Sequence, residues 1–509
     1  MAARAFKQLP DQEPELTIVL GGILEQHLQL RDPQTSQSET LDQFQEALRQ
    51  HSDWVISYLK NVREYPVTAA VQPGELTASL PANAPETGEA FEEIFKDFQS
   101  TIFPALTLWN HPRFFAYFSV SSSPPSILAD LLAATVNVNA MLWKSSPAAT
   151  ELEQVTLGWL RQWLGLDEQF FGIIYDTASV GVMQAIGAAR EWIDPKCRTE
   201  GMQPGLTVYV SEHTHNSAEK AAITLGFGQK NIRKIAVDHQ FRMRPDKLVD
   251  AIEADIAAGK RPCCIVASVG STSTSAIEPI PAIADIAEKY NIWLHVDAAY
   301  GGPAAVLPEM RHILNGVERA HSLVLNPHKW LYVGIDCSVL YTRLPQVFRR
   351  ASSLSAEYLR TSEDDSVVNY MDYGVQLGRR FRSLKLWYVF RYYGREGIAA
   401  MLRESLRQAQ MLKSWIEQSE DFELAAPVPL SLVCFCHRSG NEFNRRLLAE
   451  VNATGQAFLS HTVLNGTFVL RFAIGNFMTT EDDVRAAWNL LCQTAKRLSV
   501  SEPAEATAL

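Results

Sequence analysis

Between residues 172 and 342, short β-rich runs alternate with amphipathic helical stretches. No other feature constrains the fold as tightly. The candidate strands are 172–175, 207–210, 232–237, 264–268, 292–296, 322–325 and 338–342, with helical patterns between most of them, for example at 246–258 and 281–290. Strands joined by helical crossovers run parallel and must be covered on both faces, so the pattern predicts an α/β domain with a mostly parallel sheet. Ligands of such sheets bind beyond the carboxyl ends of the strands. The residues that follow each strand are therefore where chemistry is expected.

The flanks read differently. Residues 1–35 are polar. From Thr40 to about Asn61, the positions Leu41, Phe44, Leu48, Trp54, Val55, Tyr58 and Leu59 recur at helical spacing. A strap with Pro66, Pro73, Pro81 and Pro85 follows, where no helix is expected, and then a second amphipathic helix over 87–102. Residues 1–120 thus form an N-terminal helical arm that cannot bury its own apolar faces. It is expected to pack on a second subunit; an intramolecular cap is the alternative. The large domain is expected at 121–394. Beyond Gly394 a helix at 397–419, strands at 430–436 and 468–473, and a helix at 480–498 predict a small α+β domain over 395–509.

Composition narrows the function classes. The chain of 509 residues carries a formal net charge of −11, which argues against a sequence-independent nucleic-acid binder. No run has the length of a membrane span. The start, Met1-Ala-Ala-Arg-Ala-Phe-Lys7, lacks an apolar signal core, and seven cysteines, an odd number, lie mostly in apolar runs. The expectation is a cytoplasmic protein with free thiols, acting on a small molecule.

Four strand ends carry chemistry-bearing residues. The first is followed by Asp176-Thr-Ala-Ser-Val-Gly181 and a helix, so Ala178 and Ser179 stand where backbone N–H groups and the helix dipole favour an anion. An ordinary Ser or Thr cap has the same signature. The second runs into Ser211-Glu-His-Thr-His215, where His215 suits ring stacking or proton transfer. A core histidine, or a weak pair with His213 on a metal, reads alike, but no cluster at zinc spacing completes a metal site. The third ends in Asp297-Ala-Ala-Tyr-Gly-Gly302, a carboxylate leaving an apolar strand and in need of a partner such as a pyridinium N–H. A helix cap or a metal ligand is the alternative. The fourth gives Asn326-Pro-His-Lys329-Trp, a lysine at the end of a buried strand, with Asn326 and His328 able to donate to a phosphate. Partial burial lowers a lysine pKa and leaves some neutral amine to attack an aldehyde.

Asn326-Pro-His-Lys-Trp330, His295-Val-Asp-Ala-Ala-Tyr-Gly301 and Leu377-Gly-Arg-Arg-Phe-Arg-Ser-Leu-Lys-Leu-Trp387 resemble the signatures of group II pyridoxal-phosphate (PLP)-dependent decarboxylases, and among them the aromatic-L-amino-acid decarboxylases. The similarity runs from about Thr40 to Leu498. It implies PLP-dependent fold type I (aminotransferase-like) architecture and a homodimer with its active sites at the interface. By resemblance, Lys329 is the cofactor-carrying lysine, Asp297 the pyridinium partner and His215 the histidine stacked on the ring, with Ala299 on the other face. Ala178, Ser179, Asn326 and His328 resemble the phosphate set, Thr272 the residue near the 3′-oxygen, and Gly378 a further cofactor-side position. Trp109, Tyr117, Phe118, Val120, His215 and Gln376 resemble the substrate lining.

Tyr358 matches the tyrosine of the family's catalytic loop, a phenol suited to protonating Cα after carbon dioxide leaves. Relatives that act as aldehyde synthases often carry phenylalanine there, so the expected product is an amine. Two departures keep the substrate open among Tyr, Trp, Phe and dihydroxyphenylalanine. Val120 replaces the threonine of animal relatives, and Gln376 lies in a stretch where plant relatives separate indole from phenol substrates. An aldehyde synthase, a decarboxylase of another amino acid and a silent protein that keeps the fold are the rival readings.

Overall fold

The computed structural model describes residues 33–354, 362–363 and 366–501. Seven strands form the large sheet: β1 (Phe171–Tyr175), β2 (Leu206–Ser211), β3 (Ile232–Ile235), β4 (Arg261–Ser268), β5 (Trp293–Asp297), β6 (Ser322–Leu325) and β7 (Ser338–Thr342). Their order is β1-β7-β6-β5-β4-β2-β3. β7 runs antiparallel to both its neighbours, β1 and β6, while the pairs across β6, β5, β4, β2 and β3 are parallel. Six carboxyl ends therefore lie along one edge. Central strands of such a sheet are buried on both faces and read as apolar runs. Val266, Leu294, Val296, Leu323 and Val324 have no exposed surface, and each such side chain contributes roughly 1.5–3 kcal/mol relative to exposure. Helices Ala178–Ile193 and Ile280–Lys289 are among those that supply the covering apolar faces.

A second sheet contains β8 (Phe422–Leu424), β9 (Leu432–His437), β10 (Ser460–Leu464) and β11 (Thr467–Ala473), in the order β10-β11-β9-β8 and wholly antiparallel. β8 and β10 were not expected from sequence. They are the edge strands: one is three residues long and the other mixes polar with apolar residues, so neither carries a strong alternation signal. Helix Arg382–Glu417 precedes this sheet and is interrupted at Gly394 (φ 62°, ψ 177°).

The described residues fall into two compact units. One holds the residues up to Glu64 together with Ala70–Leu106; the other holds Tyr65–Ala69 and the residues from Thr107 on, including both sheets. In the first unit, helix Pro33–Asn61 places Trp54 edge-on to Phe95, Phe98 and Phe103. Leu41, Phe44, Ile56 and Ile94 of this unit stay exposed. A five-residue helix, Glu75–Ser79, stands in the proline strap where none was expected. Residues 74–80 contain no proline, which leaves room for one turn.

Among the described residues no helix is long and apolar enough to cross a membrane, and no three His, Cys, Asp or Glu side chains stand at metal-binding distance. The seven cysteines are free thiols, six of them buried.

Candidate active site

Five of the aligned strand ends open on one cavity of about 230 Å³. Each lining segment has a local reason to be there. After β1, Asp176 Oδ1 accepts the Thr177 N–H at 2.5 Å and its hydroxyl at 3.3 Å, and Thr177 caps helix Ala178–Ile193 from an extended conformation. No side chain caps this helix's first turn, so the amides of Ala178 and Ser179 at the cavity wall are available to an anion.

After β2, the chain turns through His215 into helix Ser217–Thr224. His215 Nδ1 accepts the Ser217 N–H at 3.2 Å and lies 2.7 Å from the Ser217 hydroxyl. That leaves the proton on Nε2. Burial lowers the His215 pKa, with Asp297 opposing and Lys329 adding to the effect, so the ring is neutral near pH 7.

Ser268, the last residue of β4, is the register partner of Asp297, the last of β5. The Val269 N–H donates to the Asp297 backbone carbonyl at 2.9 Å. Asp297 Oδ1 accepts the Ala299 N–H at 3.0 Å, which fixes its rotamer while its other oxygen stays available. Glu278 backs this corner: its carboxylate accepts the Ser268 N–H at 2.7 Å, and burial pushes its pKa up to about 7. The turn at Gly270 (φ 86°) runs against the backbone of Gly301; a Cβ at 270 would meet Gly301 N at 2.9 Å. Only glycine fits there, and the turn leads to Thr272, which lines the cavity.

After β6, Asn326-Pro327 starts the single helical turn Pro327–Trp330, with proline at its first position. The Ser338 hydroxyl donates to Asn326 Oδ1 at 2.7 Å, so the amide's NH2 is its remaining donor group. His328 Nδ1 accepts the Cys337 N–H at 3.0 Å. Burial, with Lys329 adding to it, takes His328 down to about 4, so it is a neutral Nε2–H donor. Lys329 is half-buried at the cavity wall. Burial lowers its pKa, Asp297 opposes, and Arg471 reinforces the lowering. Its Nζ lies 5.2 Å from the centroid of Phe118, whose ring stacks on Tyr300 at 3.7 Å, and Tyr300 stacks on Trp330 at 5.0 Å.

Of the residues singled out from sequence, Ala178, Ser179, His215, Thr272, Asp297, Ala299, Asn326, His328, Lys329 and Phe118 line this one cavity. Others do not. Trp109 and Tyr117 form an exposed stacked pair, 5.4 Å between ring centroids, and Val120 is half-buried outside the lining. Gln376 donates to Asp176 Oδ2 at 3.1 Å and so reaches the turn beneath the anion end instead of the cavity wall. Gly378 stands beside Asn139. Its neighbour Arg379 is a buried anchor: it pairs with Glu153 at 2.7 Å and donates to the Ile174 carbonyl, so this motif braces β1. Tyr358 lies outside the described residues.

Tyr300 and Arg471 were missed. Tyr300 sits inside the quoted aspartate motif. Arg471 is the one charged residue in the otherwise apolar run of β11, Thr-Phe-Val-Leu-Arg-Phe-Ala, which was the available signal.

An amine whose protonation burial disfavours, a carboxylate lining the same cavity, and a helix N-terminus with two neutral donors make a donor set that fits a phosphorylated pyridine aldehyde. Residues 73–438 match the pyridoxal-dependent decarboxylase conserved domain. The chain belongs to that family. Its cofactor is PLP, and it is a PLP-dependent amino-acid decarboxylase of fold type I. Tryptophan decarboxylase TDC2 of Camptotheca acuminata is 39% identical over 90% of this chain and 96% of its own length. Phenylacetaldehyde synthase of Petunia hybrida is 38% identical over 86% of this chain and 91% of its own. The Oryza sativa TDC solved with PLP and tryptamine superposes with a TM-score of 0.87 at 36% identity, covering 90% of this chain and 98% of that one.

Proposed function

We propose that this family member decarboxylates an aromatic L-amino acid to the corresponding amine, with Lys329 holding the cofactor and Asp297 its ring nitrogen. The observation that carries the reading is that the Asp297 carboxylate and the Lys329 amine border one cavity that the uncapped helix start, Asn326 and His328 also line. PLP, when bound, supplies a protonated ring that draws electrons from the α-carbon of an attached amino acid. The chain's own residues do the rest. Ala178 and Ser179 amides, Asn326 NH2 and the His328 Nε2–H would hold the phosphate. His215, Ala299 and Thr272 would hold the ring. Held in one orientation, the cofactor would present a bound amino acid to these walls in one way, an orientation effect. Tyr358 delivers the proton that replaces carbon dioxide.

An aromatic side chain is favoured by the stacked Phe118, Tyr300 and Trp330 beside the amine. Arg471 does not favour an acidic substrate, because its donors already serve protein oxygens. Purified holoenzyme given a panel of L-amino acids should release amine from Tyr, Trp, Phe or dihydroxyphenylalanine, with carbon dioxide in equal amount. Product analysis with a parallel peroxide assay decides: stoichiometric hydrogen peroxide and aldehyde would replace this reading with the aldehyde synthase, for which the Petunia relative is the precedent.

The same proposal includes a homodimer, and the division of the chain into an arm (1–120), a large domain (121–394) and a small domain (395–509). Helix Pro124–Val136 leaves Leu128, Leu131, Leu132 and Val136 exposed at i, i+3, i+4 and i+8. Such an apolar stripe is normally covered, as are the exposed side chains of the arm, and a second copy is the cover we assign. Sedimentation should give twice the mass of 56.8 kDa at micromolar concentration; a fully active monomer would remove the dimer from the proposal.

A further inference from the structure

Arg471 carries a charge that nothing around it balances. It lies in β11 opposite Cys434 of β9 and Ser460 of β10, and 4% of it is exposed. Its guanidinium donates to Ser460 Oγ at 2.8 Å and to the carbonyl oxygens of Thr272 at 2.7 Å, Ser273 at 3.3 Å and Tyr117 at 3.4 Å. Every partner is neutral, and among the described residues no carboxylate pairs with it. A buried guanidinium usually faces a carboxylate, because taking the charge out of water is costly. Its partners are also informative. Thr272 and Ser273 form the cavity-side turn, and Tyr117 directly precedes Phe118. The Arg471 Cζ lies 5.3 Å from the centroid of the same Phe118 ring that Lys329 Nζ approaches to 5.2 Å.

We propose that Arg471 is a positioning residue whose unbalanced charge disfavours protonation of the Lys329 amine while its donors hold the Thr272 turn and Phe118 beside it. The groups facing Lys329 divide clearly. Asp297, from the end of β5, favours the ammonium form. Arg471, from β11, opposes it in the same direction as burial. His215 and His328 are held neutral by burial, and the Tyr300 phenol is pushed upward and stays protonated. Arg471 is thus the fixed cation that offsets Asp297. Attachment of an aldehyde needs the lone pair of a neutral amine, so this charge belongs to the chemistry although it touches no reacting atom.

The inference rests on Lys329 being the cofactor amine, and the test separates the two ideas. In cofactor-free, full-length protein, limiting acetic anhydride followed by peptide mass analysis reads the neutral fraction of Lys329 at each pH. Arg471→Gln should raise the midpoint by about one pH unit, and Arg471→Lys should leave it within about 0.3 unit. In the Arg471→Lys holoenzyme, KM for the amino acid should rise severalfold, because an ammonium cannot span the forked set of oxygens. Cys434→Asp balances the charge instead of deleting it, and should raise the midpoint as Arg471→Gln does; it decides the matter if Arg471→Gln does not fold. An unchanged midpoint in the charge-removing variants overturns the proposal. So does an equal rise in Arg471→Lys, since packing and not charge would then have moved the amine. Failure of the Lys329 assignment looks different: borohydride would fix the cofactor at another residue, whatever the titration gives.

Discussion

Lys329→Ala is expected to lower amino-acid turnover by roughly three orders of magnitude or more while leaving the protein folded. The side chain sits just past β6 on a single helical turn, half-buried at the cavity wall, with its pKa lowered chiefly by burial. Its amine contributes little to the core, which is carried by the apolar faces of the large sheet. The melting temperature should therefore stay within roughly 5 °C of the parent. What is lost is the covalent grip on the cofactor. Borohydride should no longer fix PLP to the chain, and the visible absorbance of the holoenzyme should wash out on dialysis. Lys329→Arg sharpens the result. It keeps a long nitrogen-tipped side chain, yet a guanidinium is never neutral in a protein, so it should be as inactive as the alanine variant. Retained activity, or cofactor still fixed by borohydride in either variant, would sink the assignment.

How much of this was legible in the sequence follows from where each signal comes from. The central strands were visible because a strand buried on both faces is mostly apolar, and Trp293-Leu-His-Val-Asp297 or Ser322-Leu-Val-Leu325 carry that demand in four or five residues. The fold places chemistry at strand ends, which singled out Asp297 and Lys329, and the structure brings both to one cavity; their roles came from the resemblance. The reversal of β7 was not visible: no periodicity distinguishes an antiparallel central strand from a parallel one. Trp109 and Tyr117 resemble the family's substrate lining, and in the single chain they are exposed outside the cavity, since a motif match does not show which way a side chain faces. Gln376 illustrates the same limit, as its amide is spent on Asp176. Arg471 was missed because its role depends on what lies across the small sheet, and Ser273, Tyr117 and Ser460 come from three distant parts of the chain.

Asp297→Asn tests the other end of the cavity. Asparagine is nearly isosteric, and its Oδ1 can keep the 3.0 Å bond from the Ala299 N–H, so fold and cofactor content should be preserved. The change removes one negative charge at a site 8% exposed. Two unit charges about 4 Å apart at an effective dielectric near 20 interact by about 4 kcal/mol. If that energy keeps the ring nitrogen protonated while electrons leave Cα, its loss corresponds to a fall in kcat of roughly 10³-fold. KM should move far less, because the phosphate donors and the stacked aromatic wall are untouched. Asp297→Glu, which restores the charge at a displaced position, should recover part of the rate. The sign of a second effect discriminates further. Asp297 favours the ammonium form of Lys329, so Asp297→Asn should lower the labelling midpoint of that lysine, opposite to Arg471→Gln. A kcat within tenfold of the parent, or a midpoint that moves upward, would mean that the carboxylate faces neither the ring nor the amine, and the pairing of these two strand ends would lose its chemical meaning.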